Sequence, residues 1–347
     1  MAKISFASDY QEGAHPTILE RLGTMNLIKQ PGYGTDTICA SARAKIRIAC
    51  NCPHADVHFL VGGTQTNATV IDALLAPYQG VITASSGHIS IHEAGAIEAG
   101  GHKVLALPHR LGKLDAHAVH QYCKTFFADE NRDHMVAPGM VYVSQPTEYG
   151  TLYSRSELEA LRNVCDAYQL KLYVDGARLA YALACDQNDA SLTDLARLCD
   201  VFYIGGTKCG ALLGEAVVAP NPATLQHFFT IVKQHGALMA KGWVLGVQFD
   251  ELFSDDLYLR IGQPAIASAQ RIRESLVQNG YRLAFDSPTN QIFVILTNED
   301  TQRLSQTVEF SFWEKHDASH TVIRFATSWA TTKQQTDMLL SVLERQA

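Results

Sequence analysis

The chain has 347 residues, of which 47% are hydrophobic and 18% are charged. This composition is typical of an ordinary globular protein and excludes a fibrous or disordered class. The formal net charge of −7 disfavours nucleic acid or an anionic membrane as a partner, so small-molecule chemistry is the better expectation.

Short apolar runs alternate with helical patterns between about residues 57 and 218. This βαβ pattern is typical of a mostly parallel sheet placed between helices. The first predicted strand covers residues 57–61, and a Gly-rich turn leads from it into a helix over residues 68–75. Further strands are predicted at residues 80–84, 103–107, 140–144, 170–174 and 201–204.

The pattern becomes mainly helical after Pro220, with a long helix predicted over residues 255–278 and ended by Asn279-Gly280. Strands near residues 291–296, 308–312 and 322–326 and a last helix over residues 332–345 follow, which is a compact α+β pattern. We therefore expect an α/β large domain over residues 1–250, with a mixed, mostly parallel sheet, and a small C-terminal α+β domain over residues 251–347.

Two predicted strands end in polar residues that together indicate a cofactor. Asp175 ends the strand in Tyr-Val-Asp-Gly-Ala-Arg, and Lys208 follows the strand in Tyr-Ile-Gly-Gly-Thr-Lys. Ligands of an open parallel sheet bind outside the carboxyl ends of its strands, so both side chains should face one crevice. Pyridoxal 5′-phosphate (PLP) requires a lysine that holds it as an imine and a carboxylate that keeps its ring nitrogen protonated. We assign these roles to Lys208 and Asp175.

The turn around Gly63, Thr64 and Gln65 precedes a predicted helix and suits an anion, because N–H groups and the helix dipole face a ligand there. Alone, it is more readily explained as an ordinary turn in which Thr64 caps the helix. A nicotinamide cofactor or a nucleoside triphosphate is disfavoured, since the sequence has no G-x-G-x-x-G that opens a helix and no G-x-x-x-x-G-K-[ST].

His88 follows another predicted strand, and its ring is placed to stack on a cofactor. Its spacing of four from His92 also permits a shared metal, but no third ligand is evident and we expect no metal. The eight cysteines lack C-x-x-C spacing, and the pair Cys50 and Cys52 is too close for a usual zinc site. Without an apolar leader or a run of about 20 apolar residues, a cytoplasmic protein is expected.

The ordered motifs resemble the threonine aldolase branch of the PLP-dependent β-eliminating lyase and aldolase family, which includes the low-specificity L-threonine aldolases and has the aspartate-aminotransferase-like fold type I. The motifs are Ser8-Asp9, Tyr33-Gly-Thr-Asp36, Gly63-Thr64-Gln65-Thr66-Asn67, His88 with His92-Glu93, Asp175-Gly-Ala-Arg178-Leu and Ile-Arg324-Phe-Ala-Thr.

This resemblance implies an aldolase that cleaves L-threonine, L-allo-threonine or a related β-hydroxy-α-amino acid to glycine and an aldehyde. It implies that Arg178, Arg324, Ser8 and Tyr33 bind the substrate, that Arg178 also contacts the cofactor, and that His88 or His134 moves the proton. It further implies a homodimer or homotetramer with shared sites, in which Lys241 reaches a neighbour's phosphate.

The chain departs from the family at Gly-Gly-Thr-Lys208-Cys-Gly-Ala and at Gln145-Pro-Thr-Glu148, where common threonine aldolases have Ser-Leu-Ser-Lys-Gly-Leu-Gly-Ala and Glu-Asn-Thr-His. A lyase that eliminates a β-substituent is therefore an alternative, because the fold and the cofactor residues do not fix the reaction. A PLP-binding protein without catalysis is a further alternative.

Overall fold

The computed structural model describes residues 3–344, and its strands and helices are numbered in chain order. The strands are β1 Ile4–Ser5, β2 Asp56–Leu60, β3 Gln79–Ala84, β4 Val104–Leu107, β5 Ala137–Ser144, β6 Lys171–Asp175, β7 Val201–Gly205, β8 Glu215–Ala219, β9 Arg282–Leu283, β10 Gln291–Thr297, β11 Val308–Glu309, β12 Ser311–Lys315 and β13 His320–Ala326. The α-helices are α1 Pro16–Met25, α2 Thr37–Ala49, α3 Gly63–Leu74, α4 His88–Ile91, α5 Ala96–Ala99, α6 Ala116–Ala128, α7 Arg155–Tyr168, α8 Leu179–Leu183, α9 Leu192–Leu198, α10 Phe228–Gln234, α11 Trp243–Leu252, α12 Leu257–Arg260, α13 Gln263–Gln278, α14 Asn298–Leu304 and α15 Lys333–Leu343.

The large sheet has seven strands in the order β2-β8-β7-β6-β5-β3-β4, and only β8 runs against its neighbours. Successive strand residues point to opposite faces, so Val141 and Val143 enter one apolar core while Met140 and Tyr142 enter the other. Helices cover both faces. The predicted α/β class with a mixed, mostly parallel sheet is therefore confirmed.

Local sequence signals set the ends of several helices. Asp36 accepts hydrogen bonds from the N–H groups of Ile38 and Cys39 at the start of α2. Ser154 and Glu157 form a reciprocal capping box at the start of α7, which satisfies N–H groups that have no acceptor inside a helix. After α13, Gly280 has a φ of 72°, as the predicted helix end requires.

A second, antiparallel sheet with the order β12-β13-β10-β9 covers the C-terminal part of the chain. Its core combines residues of α13, α15 and this sheet with Phe6, and β1 pairs in parallel with β11. Residues 4–6 thus pack against the C-terminal part, whereas Leu252, Tyr258 and Ala265 belong to a core of the large sheet. The division of the chain at residue 250 stays a prediction.

Two predicted elements are wrong in their continuity. The helix predicted over residues 255–278 is broken into α12 and α13 at Gly262, where an added Cβ would lie 2.5 Å from the carbonyl oxygen of Ala180. The strand predicted over residues 308–312 is split, because β11 pairs with β1 and β12 pairs with β13. No helix within residues 3–344 has both the length and the apolar character to cross a membrane.

Candidate active site

The carboxyl ends of the parallel strands meet at one edge of the large sheet and form a cleft there. An inner cavity of about 130 Å³ is lined by Gly63, Thr64, His88, Ser144, Pro146, Glu148, Asp175, Ala177, Arg178, Tyr203, Thr207, Lys208 and Glu215. An outer cavity of about 500 Å³ shares His88, Glu148, Arg178 and Lys208 with it. The cleft therefore lies where ligands bind in open α/β sheets.

Asp175 ends β6 as a buried carboxylate with several donors. Its Oδ2 accepts hydrogen bonds from the Tyr142 hydroxyl and, at 3.1 Å, from the Asn67 amide, and its Oδ1 accepts from the Ala177 N–H at 2.9 Å. Burial raises the pKa of Asp175, but the charge of His88 and the hydrogen bonds from Tyr142 and other donors bring it below the ordinary value. Asp175 is therefore ionised and rigidly held.

Lys208 lies in a turn directly after β7. One position of this turn, Gly206, has room for no residue other than glycine. A Cβ on Gly206 would lie 2.6 Å from the carbonyl oxygen of Gly214, so the backbones approach closely here. Burial and then the charge of Arg178 lower the pKa of Lys208, although Asp9 and other carboxylates act against them. A lowered pKa increases the fraction of neutral amine, which is the nucleophilic form.

Arg178 forms a salt bridge with a second buried carboxylate, that of Asp9. Its Nε and one terminal nitrogen donate to the two oxygens of Asp9 at 2.6 and 3.0 Å. Burial raises the pKa of Asp9, but the charges of Arg178 and Lys208 outweigh it and hold that pKa well below the usual range. This bidentate geometry fixes the guanidinium at the wall of both cavities.

Arg324, in contrast, forms no salt bridge within residues 3–344. It donates to the side-chain oxygen of Gln291 at 3.0 Å and to the carbonyl oxygen of Ala7 at 3.3 Å, while its Nε has no partner. Burial and the charge of Arg178 lower the pKa of Arg324 to about 10. The Ser8 hydroxyl, next to Ala7, is also buried without a partner. Buried donors without acceptors indicate a binding site for an anion.

His88 is connected to Asp175 through a buried polar chain. Its Nδ1 lies 2.6 Å from Oε1 of Glu93, which accepts from the Asn67 amide at 2.7 Å, and the same amide donates to Asp175. Since Glu93 and Asn67 are fully enclosed, the imidazole is oriented by groups that also hold Asp175. This arrangement suits a ring that stacks on a ligand in the inner cavity.

The outer cavity is lined by both aromatic and polar side chains. Its aromatic residues are Tyr10, Tyr149, Phe312 and Trp313. His92 also lines this cavity, with its ring centroid 5.7 Å from that of His88. Burial makes the largest contribution to the lowered pKa of His92. Nearby positive charges, of which that of His88 is the strongest, lower this pKa further. Glu148 accepts from the backbone N–H of His88 at 2.9 Å and from the Ser144 hydroxyl at 2.7 Å.

The first turn of α3 contributes backbone N–H groups to the inner cavity. Gly63 and Thr64 line it, and N–H groups in the first turn of a helix have no acceptor within the helix. The Gln65 side chain does not line this cavity and instead accepts from the Val61 N–H at 3.3 Å. The turn therefore offers an anion its backbone and the Thr64 hydroxyl.

His134 lies outside the Lys208 cleft of the same chain, and its expected catalytic role stays a prediction. It is exposed in a 3₁₀ turn, Arg132–His134, that precedes β5. The cleft lies at the other end of this strand, and its eight residues at about 3.3 Å each separate the two by roughly 25 Å. His92 occupies the cleft wall instead.

Tyr33 and Lys241 lie beside each other and outside the Lys208 cleft of the same chain. The Tyr33 N–H donates to the carbonyl oxygen of Ala240 at 3.0 Å, and Tyr33 lines a separate cavity of about 40 Å³. Both side chains are exposed. Their expected roles therefore require a second protomer.

Sequence reasoning missed several buried groups of the cleft, chiefly Tyr142, Tyr203 and Glu215. One signal was available for the tyrosines. Tyr-Val-Ser144, Tyr-Val-Asp175 and Tyr-Ile-Gly205 close three strands with the same spacing, which places each ring one pleat below the cleft on one face of the sheet. Within the described part of the chain, no group of three or more His, Cys, Asp or Glu side chains is arranged to hold a metal ion.

The geometry defines an α/β protein with a partly buried lysine and a buried carboxylate in a small-molecule cleft, and the relatives of known structure share this fold. A solved structure of Leishmania major threonine aldolase superposes with a TM-score of 0.95 at 42% identity and covers 98% of each chain. A double mutant of Thermus thermophilus aspartate aminotransferase shares the fold, with a TM-score of 0.71 at 16% identity over 98% of this chain and 90% of that one.

Sequence relatives define the family more narrowly. The low specificity L-threonine aldolase of Pseudomonas aeruginosa is 30% identical over 308 residues, which is 86% of each chain. The beta-eliminating lyase family matches residues 5–326. This chain therefore belongs to the beta-eliminating lyase family, and the resemblance seen in the ordered motifs is confirmed.

Proposed function

We propose that this chain is a PLP-dependent aldolase that cleaves L-threonine, L-allo-threonine or a related β-hydroxy-α-amino acid to glycine and an aldehyde. The main support is one cleft that combines the amine of Lys208, the buried carboxylate of Asp175 and the guanidinium of Arg324, which forms no salt bridge within residues 3–344. The relatives named threonine aldolases support the same reaction.

The residues of the inner cavity fit PLP. Lys208 would hold the cofactor covalently, Asp175 would keep a proton on the ring nitrogen, and the first turn of α3 with Thr64 would bind the phosphate. His88 is positioned for stacking. When bound, the cofactor supplies a ring that accepts the electron pair released as the Cα–Cβ bond breaks.

Arg324 and Ser8 are the proposed binding groups for the substrate carboxylate. Both have buried polar atoms without partners. Arg178, in contrast, already donates hydrogen bonds to both oxygens of Asp9. Arg178 therefore acts mainly by its charge and by shaping the cleft. A carboxylate fixed at Arg324 orients the Cα substituents, and that orientation determines which bond is cleaved.

His92 is the proposed acceptor of the β-hydroxyl proton. Its pKa is lowered, first by burial and then by His88, so the imidazole is neutral at pH 7 and able to take a proton. Glu148 lines the same cavity and accepts a hydrogen bond from the backbone N–H of His88. The aromatic side chains of this cavity would contact the β-substituent and exclude water.

A homodimer or homotetramer is part of this proposal. Tyr33 and Lys241 lie together on the surface of each protomer, and we infer that they complete the cleft of a partner protomer, with Tyr33 near the substrate and Lys241 near the phosphate. The substrate partner is a small amino acid. Crosslinking of the purified protein and its mass in solution would test the assembly.

Product analysis with L-threonine and L-allo-threonine tests the reaction. Glycine and acetaldehyde in equal amounts are expected from an aldolase. A 2-oxo acid and ammonia would instead identify the β-eliminating alternative, and cofactor binding without turnover of either substrate would identify a non-catalytic PLP-binding protein.

A further inference from the structure

The inner cavity contains a buried carboxyl group, that of Glu215, to which the proposed mechanism gives no role. Glu215 is the first residue of β8 and is 3% exposed. Because β8 runs against its neighbours, its first residue lies beside Leu60 and Gly205 at their carboxyl ends. The side chain therefore reaches the cavity that Lys208 and Asp175 also line.

The neighbours of Glu215 donate hydrogen bonds but do not neutralise its charge. Its Oε2 accepts from the Gly206 N–H at 3.1 Å. The Thr207 oxygen accepts from the Gly214 N–H at 3.1 Å, so its hydroxyl hydrogen is free to point toward Glu215, where it favours the ionised carboxyl. Glu215 forms no salt bridge within residues 3–344. Burial therefore raises the pKa of Glu215 to about 8, although Thr207, Gly206 and Lys208 act against it.

The same cavity also contains another negatively charged group. Asp175 is held ionised by its donors, whereas burial raises the pKa of Glu148 and favours its neutral form. A phosphate bound at the first turn of α3 would add further negative charge within this poorly hydrated space, where like charges disfavour ionisation. Of these acids, Glu215 lies directly after the turn that carries Lys208, as the first residue of β8.

We propose that Glu215 is a proton-binding residue of the cofactor cavity, which takes a proton from solvent when a phosphorylated cofactor binds and then remains a neutral hydrogen-bond donor. This inference rests on the proposed use of PLP. No bond forms or breaks beyond the O–H bond. Glu215 would thus make cofactor affinity depend on pH without contacting the substrate.

Titration calorimetry of PLP into the cofactor-free protein at pH 9 tests the proposal, when it is carried out in two buffers of different ionisation enthalpy. The difference between the buffers gives the number of protons taken up. We expect wild type to take up more protons than Glu215→Gln, by an amount approaching one proton per site. Between pH 7.5 and 9.5 the wild-type affinity should also fall more steeply, by up to tenfold per pH unit.

Glu251→Gln is the matched control, because Glu251 is a partly exposed residue of α11 beside Arg21 that lines neither cavity, and it should reproduce wild type. Equal proton uptake by wild type and Glu215→Gln, with PLP bound in both, would overturn the role of Glu215 alone. No binding of PLP to wild type would overturn the cofactor assignment together with this inference.

Infrared difference spectroscopy of the wild-type protein provides a second measurement if Glu215→Gln does not fold. At pH 9, addition of PLP should increase the carbonyl stretching band of protonated carboxyl groups, and the increase should shift in D₂O. An unchanged carboxyl band on PLP binding would contradict the proposal.

Discussion

At the scale of single residues, two arginines in one cleft differ in their partners, and we propose different roles for them. Arg178 is engaged by both oxygens of Asp9, whereas the Nε of Arg324 has no partner. Both were expected from the sequence to bind the substrate carboxylate. The structure distinguishes them, because only the folded chain shows that the guanidinium of Arg178 already forms a salt bridge with Asp9.

Arg324→Gln should raise KM for the amino acid about 10- to 100-fold while kcat changes less, because a charge-assisted hydrogen bond to the carboxylate is lost. Steady-state kinetics and the absorbance of the bound cofactor would measure both effects. Arg271→Gln is the control, since Arg271 pairs with Asp337 on the surface. An unchanged KM in Arg324→Gln would exclude the assignment.

His92→Asn should lower kcat about 100-fold or more, because a positioned base is lost, and it should leave cofactor binding unchanged. The base works when neutral, and its pKa is lowered from 6.5. The acid limb of the wild-type kcat profile should therefore lie below pH 6.5 and be absent in the variant. His134→Asn is the matched control; if it lost as much activity as His92→Asn, the placement of the base would be wrong.

Glu215 should also make the stability of the cofactor-free protein depend on pH. Its pKa is raised in the folded state from 4.5 to about 8, so its stabilising contribution is complete below pH 4.5 and is lost as pH rises through 8. Relative to Glu215→Gln, wild type should lose up to a few kcal/mol between pH 5 and 9. Urea unfolding at several pH values measures this, and parallel curves for the two proteins would contradict it.

At the scale of elements, the break between α12 and α13 has a packing cause. Gly262→Ala places a Cβ 2.5 Å from the Ala180 carbonyl oxygen and should destabilise the fold by roughly 1–3 kcal/mol. Gly23→Ala in α1 meets no atom within 4 Å and should stabilise it by about 0.5–1 kcal/mol. Denaturant unfolding of both variants provides the comparison; equal midpoints would argue against this cause of the break.

The element pattern explains which parts of the site could be predicted from the sequence. Lys208, Asp175 and His88 follow apolar runs that read as parallel strands, so their common placement at one sheet edge could be anticipated. Glu215 could not, because β8 is antiparallel and its first residue, not its last, reaches that edge. Nothing in the local sequence encodes the direction of a strand.

At the scale of the whole molecule, the fold class and the family followed from ordered motifs, while contacts between distant segments did not. Asp9 pairs with Arg178 across 169 positions of the chain, and β1 pairs with β11. Such contacts place N-terminal residues, which belong to no strand of the large sheet, at the cleft. The large-to-small domain boundary and the cytoplasmic location stay predictions.

The most direct test of the account compares wild type with Lys208→Ala in one preparation each, by absorbance before and after borohydride and then by aldehyde release from L-threonine and L-allo-threonine. We expect wild type to show a near-visible cofactor band that borohydride removes and to release acetaldehyde. Lys208→Ala should show neither this band nor aldehyde. Acetaldehyde release by Lys208→Ala at the wild-type rate, or a wild-type protein that binds no PLP, would contradict the assignment of this cleft.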